Sequence, residues 1–199
     1  TPDGKSLPLR SLLRRGSFWL FILLLLCSGA AEQGMSQWAS AFAEAGLCIS
    51  KAAGDLAGPC LFAVMMGLAR VVYARLGGRL CLPAYMAFCG ALCLCSYLLA
   101  AFSPLPLLAL AGCGLCGFSV GVLWPGSFSL ASARIPAGGT ALFSLLALAG
   151  DLGCSAGPAL VGAASGAAGG NLRLGLAAGV LFPAVLLAAL PFLRKNTAQ

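Results

Sequence analysis

Pro106-Leu-Leu-Ala-Leu-Ala-Gly-Cys-Gly-Leu-Cys-Gly-Phe-Ser-Val-Gly-Val-Leu-Trp-Pro-Gly-Ser-Phe-Ser-Leu-Ala131 contains no charged side chain. An uninterrupted apolar run longer than about 20 residues crosses a bilayer as a helix. The rest of the chain agrees: of 199 residues 60% are hydrophobic, 12 are basic and 5 acidic, and the mean hydropathy is +0.98. Soluble domains carry about a quarter charged residues, whereas this chain carries 9%. So few charges cannot cover a water-facing surface, which excludes a soluble enzyme or a nucleic-acid module. The +7 charge comes in short clusters between apolar runs, without the continuous basic footprint that nucleic acid requires. There is no histidine. That removes histidine general acid/base chemistry, histidine metal ligation and Ser-His-Asp or Cys-His catalysis.

Gly, Pro and charge clusters divide the chain into six expected spans: Ser17–Ala43, Asp55–Tyr73, Leu80–Phe102, Pro106–Ala131, Thr140–Ser165 and Leu172–Leu193. The fold class is therefore all-α, a polytopic six-helix membrane bundle. Residues 1–16 read as a cytoplasmic linker with a basic flank, 17–193 as the transmembrane domain and 194–199 as a tail. The connections, Glu44–Gly54, Ala74–Arg79, Ser103–Leu105, Ser132–Gly139 and Gly166–Asn171, are too short to hold a domain. The basic flank before Phe18–Leu26 imitates a signal peptide, but the apolar segments that follow favour a first span. With the N-terminus inside, that side holds Lys5, Arg10, Arg14, Arg15, Arg70, Arg75, Arg79, Arg134, Arg194 and Lys195, against Lys51 and Arg173 outside. This asymmetry places both termini in the cytoplasm under the positive-inside rule and suits a plasma-membrane protein.

The fourth span carries Gly117 and Gly121 before Trp124-Pro125-Gly126; the fifth carries Gly153 and Gly157 before Pro158. Small residues four apart let helix backbones approach closely, and Pro or Gly within a span sets a kink or hinge. Nine of the ten cysteines, all but Cys48, lie in or beside apolar runs. Cys113-Gly-Leu-Cys116 has redox spacing without its structural context, so the cysteines read as small packing residues, and neither metal nor cofactor is expected.

Few groups are costly where they stand. Glu32 and Ser36, and likewise Gln33 and Gln37, are four apart, so a helix gathers them into one polar stripe beside Trp38. The stripe is expected to face the bundle interior or a watery cavity; otherwise the span starts late and Glu32 lies at the outer interface. Asp151 interrupts the fifth span. A carboxylate at mid-membrane costs about 2.5–3.5 kcal/mol on insertion scales, which marks either a functional group or a structural one bonded to helix ends or an arginine. Trp38 and Trp124 read as interface anchors or core residues. Trp124, beside a helix break, also reads as a wall of a sugar-sized cavity. Gly67-Leu-Ala-Arg70-Val-Val-Tyr-Ala-Arg75-Leu-Gly77-Gly-Arg79 is a charged hinge able to dock on neighbouring helix ends.

At that hinge the chain resembles a major facilitator superfamily transporter, whose second and third helices in each half are joined by a glycine and a loop of the form Asp-Arg-x-Gly-Arg. Gly67, Arg75, Gly77 and Arg79 match, while Ala74 stands where the acidic residue is usual. Gly117–Gly126 and Gly138–Phe143 look like the fucose-permease-type branch and related bacterial sugar transporters. The resemblance implies that residues 17–193 correspond to the C-terminal six-helix half of a twelve-helix fold, with the N-terminal half of the same chain as its partner. It further implies alternating access around a central site, with Gly67, Arg70, Arg75, Gly77 and Arg79 as a cytoplasmic gating loop. The residue reading supplies the solute or coupling candidates: Glu32, Gln33, Ser36, Gln37, Trp38, Trp124 and Asp151.

The functional expectation is a secondary transporter of a small polar solute, proton-coupled sugar uptake first, amphiphile efflux second. A non-transporting membrane assembly subunit is the competing class. Enzyme activity is not expected, because clustered catalytic groups at one interface are missing from the sequence. The implied partners are the lipid bilayer, the solute and protons, with no nucleic acid.

Overall fold

The computed structural model describes residues 7–47, 50–76 and 80–195. Its helices are α1 (Leu9–Leu13), α2 (Gly16–Ser36), α3 (Ala39–Leu47), α4 (Lys51–Asp55), α5 (Leu61–Leu76), α6 (Leu82–Phe102), α7 (Pro106–Val120), α8 (Leu123–Arg134), α9 (Gly139–Ala167), α10 (Leu172–Gly179) and α11 (Leu181–Lys195). A π-helical turn, Leu56–Cys60, joins α4 to α5 around Pro59. Six segments are long and apolar enough to cross a membrane: Gly16–Ser36, Lys51–Arg75, Leu82–Phe102, Pro106–Arg134, Gly139–Ala167 and Leu172–Leu193. The protein is an all-α, six-span membrane bundle.

The sequence boundaries shift in ways that matter for the site. The first apolar stretch is not one rod, because α2 stops at Ser36 and α3 restarts after Gln37-Trp38. The second span begins at Lys51 rather than Asp55. Its helix α5 continues to Leu76, so Gly67, Arg70 and Arg75 are helical rather than part of a loop. The expected loop residues Gly77 and Arg79 lie outside the described residues. The N-terminal flank is not a plain linker either: α1 forms within it and Leu12 is fully buried. At the other end α11 runs through Lys195, two residues beyond the expected end of the bundle.

Hydrogen bonds sort the connections onto two ends. At one end the Leu7 amide donates to the Ala137 carbonyl at 2.7 Å, and Arg134 donates to the Leu193 carbonyl near the close of α11. A guanidinium there also complements the negative end of the helix dipole. At the opposite end Arg173 donates to the Ser103 carbonyl, which follows α6. On the outer end assigned by charge counting, Ser40 bonds Asp55 at 2.5 Å, and Lys51 stands 3.9 Å from Asp55 and 4.0 Å from Glu44. This small polar network ties α3 to α4.

The centre of the bundle is the crossing of α2 with α9. Gly153 lies against the Leu26 carbonyl and Gly157 against the Ala30 carbonyl, so close that a Cβ on either glycine would strike backbone. The second glycine pair works the same way, with Gly117 on the Phe62 carbonyl and Gly121 on the Met66 carbonyl of α5. Helices in lipid gain little from hydrophobic association, so close van der Waals packing and Cα–H···O contacts hold them together. Tyr97, fully buried on α6, adds a hydrogen bond to the Ala31 carbonyl at 2.8 Å.

Candidate functional site

The break between α7 and α8 organises the site. A proline at position i leaves the carbonyl of residue i−4 without its helical donor. Gly121 caps the C-terminus of α7, and with Pro125 four residues on its carbonyl has no helical donor. Arg70, reaching from α5, donates its Nε to that carbonyl at 3.2 Å. A freed backbone acceptor inside a membrane needs such a partner. The expected docking of basic residues onto helix ends is met here by Arg70, although the helix end is in mid-span.

Around this junction Arg70, Tyr73, Val122, Trp124, Pro125 and Phe128 line an open pocket of about 440 Å³, with Arg70 and Pro125 at its exposed mouth. That volume lies in the range of about 300–1,000 Å³ found for small-molecule sites. Trp124 packs its ring over Gly150 of α9, where any Cβ would collide with it. Its centroid is 6.1 Å from that of Phe128, and Phe128 stacks on Phe143 of α9 at 5.9 Å. An aromatic wall thus runs from α8 onto α9. The Trp124 Nε1–H is buried without a hydrogen-bond partner among the described residues.

The remaining candidates distribute unevenly. The polar stripe forms as helical spacing requires, and Gln37 Nε2 donates to Gln33 Oε1 at 3.2 Å. That bond joins one donor of Gln37 to the acceptor of Gln33, and Gln37 is exposed. Glu32 and Ser36 are half-buried. Glu32 makes no ion pair among the described residues. Trp38 turns away from the Trp124 cavity: its Nε1 donates to the Pro158 carbonyl at 3.2 Å, and its ring covers Gly162. Trp38 is a brace between α3 and α9 rather than a cavity wall.

Asp151 lies apart from the pocket. It is exposed on α9, between the exposed Leu148 and Leu152. The cause is helical register: Gly150, Gly153 and Gly157 take the face of α9 that meets its neighbours, and Asp151 follows Gly150 by about 100°. Neither Glu32 nor Asp151 reaches the cavity lining. Gly67 and Arg75 are exposed on α5. Cys113 and Cys116 are fully buried, and Cys116 Sγ lies 4.0 Å from Cys93 Sγ on α6, in keeping with packing roles.

Sequence reading missed Tyr73, Val122 and Phe128. The available signal was the four-residue step from Pro125 back to Gly121, which marks where a donor must enter and so where neighbouring side chains converge. The chain matches no protein-family model, and no curated protein matches it.

Proposed function

We propose that the protein is a secondary transporter that moves a small solute by alternating access. The observation that supports this most is the cavity at the α7–α8 break, where a helix interruption, an arginine and an aromatic wall meet inside the span. Discontinuous helices whose ends meet a solute are a recurrent device of transporters. In this reading the six helices act as the C-terminal half of a major facilitator fold in the plasma membrane, with both termini cytoplasmic. A second six-helix body covers α5 and α9, whose outer faces carry Arg75 and Asp151 in this structure. Such a cover supplies partners for a carboxylate that lipid cannot solvate.

The lining favours one variant within the class. Apart from Arg70 and the Tyr73 hydroxyl it is aliphatic or aromatic, which suits export or import of an amphiphile better than it suits a sugar. Proteoliposomes carrying the full natural chain, loaded with a panel of labelled sugars and amphiphiles, test the reading. Saturable flux of at least one solute, lost in Trp124→Ala and retained in Trp38→Phe, is expected. Absence of saturable flux across the panel, with the protein folded, overturns it.

A further inference from the structure

We infer that the cavity at the α7–α8 break takes an organic anion, a flat apolar body bearing one carboxylate. The inference rests on the transport reading for its location, but its chemistry comes from the lining alone. Arg70 is the one fully charged side chain in that lining, and no carboxylate lies within 4 Å of it among the described residues. Its bond to Gly121 occupies Nε. A guanidinium has five N–H donors in a fixed fork, so holding it by Nε leaves the two amino nitrogens as a preoriented pair. Carboxylates accept such a pair bidentately. A neutral polyol would leave the charge unmatched, and a cation would be repelled by it.

The apolar half of the ligand follows from the other walls. Tyr73 stands on the same helix as Arg70, one turn on, and its ring stacks on Tyr85 of α6 at 5.8 Å, while Trp124 and Phe128 line the same pocket from α8. Aromatic walls favour a planar body through offset or edge contacts. Pro125 and Val122 add no competing polar side chain.

Calorimetric titration of the full natural chain in lipid nanodiscs, with empty nanodiscs subtracted, tests this using 1-naphthoate and its uncharged counterpart 1-naphthamide. Naphthoate is expected to bind at least about tenfold more tightly, the size of one charge-assisted contact of about 1.4 kcal/mol. Arg70→Lys is expected to fall between, and Arg70→Gln to remove the preference. Equal affinity for the two probes on the unaltered protein overturns the inference, as does no binding of either. That comparison needs no variant, so it decides the matter even where Arg70→Gln fails to fold. Naphthoate bound, with no saturable flux of any solute in the panel, leaves the anion site standing and refutes transport. A neutral sugar carried while naphthoate neither binds nor moves refutes the anion site and leaves transport standing.

Discussion

Arg70 Nε and the Gly121 carbonyl, 3.2 Å apart, form the bond that lets a helix stop in the middle of a membrane span. Pro125 creates the vacancy and Arg70 fills it from another helix. The junction therefore couples α5 to α7 and α8, and motion of one must be felt by the other.

Replacing Pro125 by Ala restores an N–H to the Gly121 carbonyl and removes the need for Arg70 there. Pro125 stands in the first turn of α8, where a missing N–H costs little. Pro125→Ala is therefore expected to leave the thermal unfolding midpoint in nanodiscs nearly unchanged while slowing solute flux. A large rise in the midpoint would show instead that the proline interrupts a continuous helix.

The α2–α9 crossing gives a sharper contrast. Gly153 has a backbone carbonyl where a side chain would begin, whereas Gly166 on the same helix has open space around it. Gly153→Leu is expected to destabilise the bundle by more than about 2 kcal/mol through forced separation of the helices. Gly166→Ala is expected to be neutral or to stabilise by up to about 1 kcal/mol, because alanine restricts the unfolded chain. Denaturant titration followed by circular dichroism compares the two.

Two donors brace the α2–α9 crossing, the buried Tyr97 on the Ala31 carbonyl and the half-buried Trp38 on that of Pro158. Tyr97→Phe and Trp38→Phe remove a donor with modest loss of packing. Interhelical hydrogen bonds in membranes average about 0.6 kcal/mol, so each loss is expected near that value. Both bonds meet the same stretch of the α2–α9 crossing, where Gly34 abuts the Tyr97 hydroxyl and Gly157, so the double variant is expected to depart from the sum of the two. Chemical denaturation of the four proteins checks this.

Orientation is open to direct chemical test. Cys81 is exposed just before α6, at the end assigned to the cytoplasm, and Ser50 is exposed just before α4, at the opposite end. In intact cells a membrane-impermeant maleimide is expected to label Ser50→Cys and spare Cys81, with sites read by mass spectrometry. After lysis both are expected to react. The reverse pattern would invert the topology.

Much of the architecture was legible because membrane insertion depends on local quantities. Apolar length gave six spans, and glycines four apart at Gly117/Gly121 and Gly153/Gly157 marked both closest helix crossings. The candidate site was legible only in part. Trp124 was found because Pro125 stood beside it, and Arg70 because it carried charge near an apolar end. Trp38 braces α9 and Asp151 lies on an outer face, because helix register decides what the same residue types do.

By itself the chain's sequence determined that it crosses a membrane, how often, and where its helices come closest. Those properties follow from hydropathy summed over a span and from the absence of a Cβ, which neighbours do not alter. Only the tertiary structure decided that Arg70 bonds the carbonyl freed by Pro125, that Tyr73, Trp124 and Phe128 share one cavity, and that Asp151 faces away from it. Those are relations between helices 50 or more positions apart in the chain (Arg70 and Gly121 differ by 51). Helix rotation and depth fix them, and no local pattern encodes either one.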